Sequence, residues 1–202
     1  MKIDSQFKLN EAPDARLHNI IDMGLDFSAM IRLFETGSKK RLRDKILAEV
    51  RKVFEAKSEK QFKDIHHGFC EWGTKEIILA ERTRKGKIIQ ESGPASYGQI
   101  AKTFDVVLKV AVYYCHFPNC EKSEHISRWL DAAVDTKMMD FLKERYPEDI
   151  TPWPTTIKQI DESSYTSIQE IVHKFINERH NGSITPVQFD DIYWEALNRQ
   201  DV

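Results

Sequence analysis

One segment of the 202-residue chain limits its fold more than any other: GPASYGQIAKTFDVVLKVAVYYC, residues 93–115. Ser96 followed three residues later by Gln99 is a capping-box pattern, in which hydroxyl and amide each satisfy a backbone group at a helix start. Beyond it Ile100, Phe104, Val107, Leu108, Ala111 and Cys115 cover most of the helix circumference. A helix apolar on nearly all sides has to be surrounded by other elements. The chain is therefore expected to be mostly α, a single-domain multi-helix bundle built around a buried central helix at about 96–116.

The flanking sequence agrees. Residues 16–36 carry Leu17, Ile20, Ile21, Leu25, Ile31 and Phe34, with Gly37 as a stop and Ser38 as the next cap. A helix at 39–56 sets Leu42, Ile46, Val50 and Phe54 four residues apart, and Ser58 caps a third through Phe62, Ile65, Phe69 and Trp72. Arg82–Lys87 reads as an exposed turn, with Ile88 and Ile89 a short extended piece after it. Helices follow at 123–133, 136–145, 163–180 and 186–198, the last opened by Thr185-Pro-Val-Gln188. The one candidate seam in the 1–202 domain is the proline-bearing loop 151–155.

Composition removes several classes. Thirty basic against 32 acidic residues give a net charge of −2, so no global field attracts nucleic acid or an anionic bilayer. No run approaches the roughly 18–20 apolar residues that span a membrane, and the polar start lacks a signal-peptide core. Three scattered cysteines, Cys70, Cys115 and Cys120, form no disulfide framework and suit a reducing, cytoplasmic setting. His66 with Cys70, and Cys115, His116, Cys120 and His125, offer zinc-type donors, but their spacing matches no familiar ligand set. Neither metal nor cofactor is expected.

The central segment keeps three charges. At 3.6 residues per turn Gly98, Lys102, Asp105 and Lys109 share one face. Two explanations stand. The stripe is a narrow solvent seam in which Asp105 supports Lys109 at i, i+4, or it lines a cleft in which desolvation lowers a lysine's proton affinity and makes it a nucleophile. Gly93 and Gly98 have the glycine spacing of a phosphate loop, but the Lys-Ser/Thr that must follow directly is missing.

Tyr97-Gly-Gln-Ile-Ala-Lys102-Thr-Phe-Asp-Val-Val-Leu-Lys109, with Ala133-Val-Asp135-Thr-Lys-Met-Met-Asp-Phe-Leu142 downstream, resembles the core of helix-hairpin-helix DNA glycosylases. The wider separation of lysine and aspartate looks more like the archaeal 8-oxoguanine branch than the endonuclease III branch. The resemblance implies Lys102 as a Schiff-base nucleophile, Asp135 as its activator, and Gly98 and Gln99 at the DNA. It spans about 98–145, without a Leu-Pro-Gly-x-Gly hairpin or an iron–sulfur cysteine set. The same segment is similar to small helical proteins of bacterial accessory genomes, such as integron cassettes and defence islands. By its position alone Asp135 also reads as an N-cap.

Local charge adds a DNA candidate. Lys39, Lys40, Arg41, Arg43, Lys45, Arg51 and Lys52 stand against only Asp44 and Glu49, and Arg82, Arg84, Lys85 and Lys87 form a second basic cluster. The alternative of another class is a non-enzymatic module that binds a protein or small ligand in a helical cleft. The sequence leaves the oligomeric state open.

Overall fold

The computed structural model describes residues 12–199; the polar start at 1–11 and residues 200–202, the two ends of the expected domain, lie outside them. The fold is mostly α. Helices α1 (Ala12–Phe27), α2 (Thr36–Glu55) and α3 (Glu59–Glu76) precede a short β segment, β1 (Ile78–Leu79), β2 (Arg82–Arg84), β3 (Lys87–Gln90) and β4 (Gly93–Pro94). Then come α4 (Tyr97–Leu108), running on as a π-helical turn (Lys109–Tyr114), α5 (Cys120–Ser127), α6 (Thr136–Arg145), α7 (Glu162–His180) and α8 (Pro186–Arg199). The strands form two antiparallel pairs, β1 with β4 and β2 with β3. No described helix is long and apolar enough to cross a membrane.

Helix α4 is the axis, packed by α1, α3 and α7. Its start is the expected box: Gln99 N–H donates to Ser96 Oγ at 3.3 Å and Ser96 N–H to Gln99 Oε1 at 2.9 Å. Phe104 is fully buried with its ring 4.2 Å from that of Phe69 on α3. Helix α1 approaches so closely that a Cβ on Gly24 would stand 2.8 Å from the Val107 Cα. A second aromatic group, Phe141, Phe175, Phe189 and Tyr193, joins α6, α7 and α8.

Local readings change along the chain, and the helix expected at 123–133 runs instead over Cys120–Ser127. The 16–36 helix ends at Phe27, and a 3-10 turn (Ala29–Leu33) leads into Phe34, which bridges to Leu79. Gly37 and Ser38 consequently fall inside α2; Ser38 is buried, and its Oγ accepts the Ile78 N–H at 3.1 Å rather than capping a helix. The central helix gains a wider turn at Lys109, where Cys115 N–H reaches Val110 O. The 151–155 loop is sewn to the bundle: Trp153 is buried and its Nε1 donates to Tyr146 O at 3.1 Å.

Gly98 and Gln99, expected at a nucleic acid, lie inside the fold. Gln99 is occupied by the cap. Gly98 N–H donates to Ile160 O, and a Cβ there would meet Ile160 Cβ at 2.5 Å and Ile157 O at 2.8 Å. Neither presents a surface to phosphate. Because a backbone oxygen is one of the obstructing atoms, Gly98→Ala is expected to cost about 1–3 kcal/mol, read as a lowered urea midpoint. An unchanged midpoint would mean that the 157–160 turn yields freely.

Candidate functional site

The charged stripe of α4 divides. With 100° per residue, Lys102 and Lys109 lie about 20° apart and Asp105 about 40–60° to one side. Asp105 turns inward toward α3 and α7, whereas the lysines open on a cleft against α6 and α8. The expected Asp105–Lys109 pair does not form: Asp105 is 3% exposed and bound to His66, and Lys109 Nζ lies 2.6 Å from both Asp190 Oδ2 and Asp191 Oδ1.

The lysine cleft has a volume of about 540 Å3. Lys102, Val106, Lys109 and Val110 of the central helix form its floor, Ala133 and Asp135 one wall, and Asp190, Asp191 and Trp194 of α8 another. Phe27, Ala29 and Tyr114 complete the rim. Lys102 Nζ stands 3.8 Å from Asp135 Oδ2, an ion pair longer than a direct hydrogen bond. Asp135 is also the N-cap of α6, its Oδ1 accepting the Met138 N–H at 2.9 Å. One oxygen holds the helix while the other faces the lysine. Burial lowers the proton affinity of Lys102, with Asp135 opposing it. Lys109 goes the other way: burial opposes its charge, but Asp190 and Asp191 outweigh burial and keep it an ammonium. Burial raises the Asp190 carboxyl although Lys109 pulls it down. The 2.6 Å contact and the more exposed Asp191 favour the ion pair over a neutral one.

A polar network lies beyond Asp105. His66 Nε2 is 2.8 Å from Asp105 Oδ1, and Tyr165 OH donates to Asp105 Oδ2 at 2.9 Å, with Asp131 Oδ2 at 3.2 Å. Lys63 holds the other Asp131 oxygen. Burial would lower the His66 imidazole, but its contacts with Cys70 and Asp105 raise it well above the ordinary range. Burial keeps the Cys70 thiol protonated, so Asp105 is the effective cause. Gln169 grips Ala132 through both backbone groups, which fixes the loop carrying Asp131 to the network and Asp135 to the cleft.

His66, Asp105 and Asp131 are the one convergent metal-type donor set among the described residues, their atoms within 4.8 Å of one another. The Tyr165 hydroxyl already sits among all three, 3.4 Å from His66 Nε2, and each donor has an internal partner. The arrangement is an internally satisfied hydrogen-bond network, and His66, Asp131 and Tyr165 at its edge line a second cleft of about 440 Å3. Cys70 Sγ, 3.8 Å from His66 Nδ1, is its apolar end, and Cys115, His116, Cys120 and His125 are not among the convergent donors.

The network makes stability depend on pH in a definite direction. A histidine whose folded pKa lies above its unfolded value contributes fully below the latter, about 6.5, and loses that contribution as pH rises through the folded value. Burial also raises Asp105, against His66 and Tyr165, which acts in the same direction. The thermal midpoint is expected to fall as pH rises above about 6.5, and His66→Gln should flatten that fall. An equally steep decline in the variant would place the titration elsewhere.

The helical basic patch is largely paired from within. Lys39 pairs with Asp26, Lys40 with Asp44 and Arg43 with Asp22, while Arg41 donates to Ser38 Oγ and Glu76 O. Lys45 and Lys52 share Glu49, and Arg51 holds Asp14. These acids come largely from α1, out of sight of a local charge count. A more open hollow of about 520 Å3 at Arg51, Glu55, Gln61 and Ile65 gathers no comparable set of buried titratable groups. Compared with protein-family models, curated proteins and solved structures, the chain matches none.

Proposed function

We propose that the lysine cleft is a Schiff-base site acting on damaged DNA, with glycosylase/lyase-like chemistry. The observation that carries the reading is Lys102: an amine whose charged form is disfavoured by burial, 3.8 Å from a carboxylate, in a cleft large enough for a nucleoside. As the free amine, Lys102 Nζ attacks C1′ and the C1′–base bond breaks. A proton from Nζ passes by way of Asp135 to the departing base; the nitrogen lone pair then expels O4′, which takes a proton from solvent water, and the opened sugar is left as the protonated imine. Asp135 also faces the positive charge that develops at C1′. Phe27, Tyr114 and Trp194, exposed by 68%, 50% and 55%, stand at the rim as surfaces on which an unstacked base can lie. The test is borohydride reduction with duplex DNA bearing an abasic or oxidised site. A covalent protein–DNA band that disappears in Lys102→Gln supports the reading; no band from the parent protein rejects it.

One observation favours a second reading. Two lysines face three aspartates, so the cleft carries excess negative charge beneath an aromatic rim. That composition also suits a non-enzymatic module for a cationic small ligand or basic peptide. Such a module would bind its ligand with Lys102→Gln undiminished and form no covalent adduct.

A further inference from the structure

The cleft's negative balance means that a DNA backbone has to be held outside it, and the paired cations of α2 are already engaged. The β2–β3 ribbon is different. Its turn is Lys85-Gly86, both with positive φ, 50° and 74°, the backbone of a tight two-residue hairpin. Residues 81–89 are all exposed, and Ile88 and Ile89, at 56% and 59%, are two of the few large apolar side chains in the open. Arg82, Arg84, Lys85 and Lys87 pair with no acidic side chain among the described residues, in contrast to every cation of the α2 patch but Arg41. Arg84 and Lys87 are direct cross-strand partners, which puts two like-charged residues opposite each other on the ribbon. Such pairs are destabilising within a sheet. Their repulsion is relieved by an anion laid along the ribbon.

The base of the ribbon is tied to the lip of the cleft. Gln90 Nε2 donates to Leu33 O at 3.2 Å and to Ala80 O at 2.6 Å, and Ala80 N–H donates to the same Leu33 O at 2.8 Å. Leu33 ends the five-residue 3-10 turn that begins at Ala29, and Ala29 lines the cleft beside Phe27. We infer that the β2–β3 ribbon is a nucleic-acid grip, its cations on the phosphates and its isoleucines against the groove, holding the strand whose lesion enters the cleft. A two-stranded ribbon is of a size that the major groove admits. The inference rests on the DNA reading of the cleft and adds the element that supplies affinity.

The test uses the full chain and a fluorescently labelled duplex carrying a tetrahydrofuran abasic analogue, titrated by anisotropy at several salt concentrations. Arg84→Ala/Lys85→Ala/Lys87→Ala should bind at least about 10-fold more weakly at low salt, with the slope of log K against log salt reduced by about two to three. Ile88→Ser/Ile89→Ser should weaken binding without altering that slope. Circular dichroism and urea midpoints verify that these exposed changes leave the fold intact. Unchanged affinity and slope in the triple variant would overturn the grip, as would a variant that loses only binding to vesicles containing phosphatidylserine. Borohydride trapping at saturating protein, on the same duplex with a true abasic site in place of the tetrahydrofuran analogue, separates the two claims. Ribbon-dependent binding without trapping leaves the grip and removes the chemistry, whereas trapping with ribbon-independent affinity does the reverse.

Discussion

Asp105→Ala is expected to destabilise the protein by about 3–5 kcal/mol, because it removes one member of a buried charge pair and leaves the other uncompensated. The pair is His66 and Asp105, 3% and 1% exposed at their side chains, and the same change strips Tyr165 OH of its 2.9 Å acceptor. Removing both charges differs from removing one. His66→Phe/Asp105→Leu should recover most of the loss, since apolar replacements of similar volume need no compensation. Chemical denaturation of the two variants measures this. A loss below about 1 kcal/mol in Asp105→Ala would match a surface pair rather than a buried one, and would contradict the network.

The second large effect concerns chemistry. Lys102→Gln should abolish borohydride trapping outright, and Asp135→Asn should slow it by about 10²–10⁴, the usual contribution of a positioned acid–base group. The amide oxygen of the introduced asparagine can still accept the Met138 N–H, so α6 should keep its cap and most of its stability. Single-turnover trapping rates together with melting curves separate these roles. A variant that melts early and traps at the parent rate would reduce Asp135 to a cap.

The sequence displayed those parts of the fold that depend on neighbours a few residues away. The Ser96–Gln99 box, Ser58 before α3, Asp135 before α6 and Pro186 opening α8 all follow from local chemistry, and the helices begin where those residues stand. Long-range partners overrode local signals elsewhere. Gly37-Ser38 has the form of a stop followed by a cap, yet Ser38 is drawn inward by the Ile78 N–H forty residues away. Asp105 has a lysine at i+4 and instead bonds to a histidine 39 residues earlier. No periodicity in α4 could reveal that choice. His66 and Cys70 were visible as an i, i+4 pair, but the network is completed by Asp131 and Tyr165 from separate elements. Lys109 likewise gave no hint of the Asp190-Asp191 pair that holds it. The closeness of Lys102 and Asp135 was implied by resemblance rather than by spacing, and the charge count over 38–52 could not include Asp14, Asp22 and Asp26 on α1.

The most direct measurement of the proposed Schiff-base chemistry is where a covalent bond to DNA forms. The parent protein is reduced with borohydride in the presence of abasic-site DNA, digested with nuclease and protease, and its sugar-modified peptides are identified by mass spectrometry. One predominant modification is expected, on Lys102, with Lys109 unmodified because Asp190 and Asp191 hold it as an ammonium. A modification on Lys109 or on the exposed lysines of the β2–β3 ribbon, with Lys102 untouched, would contradict the assignment of Lys102 as the nucleophile.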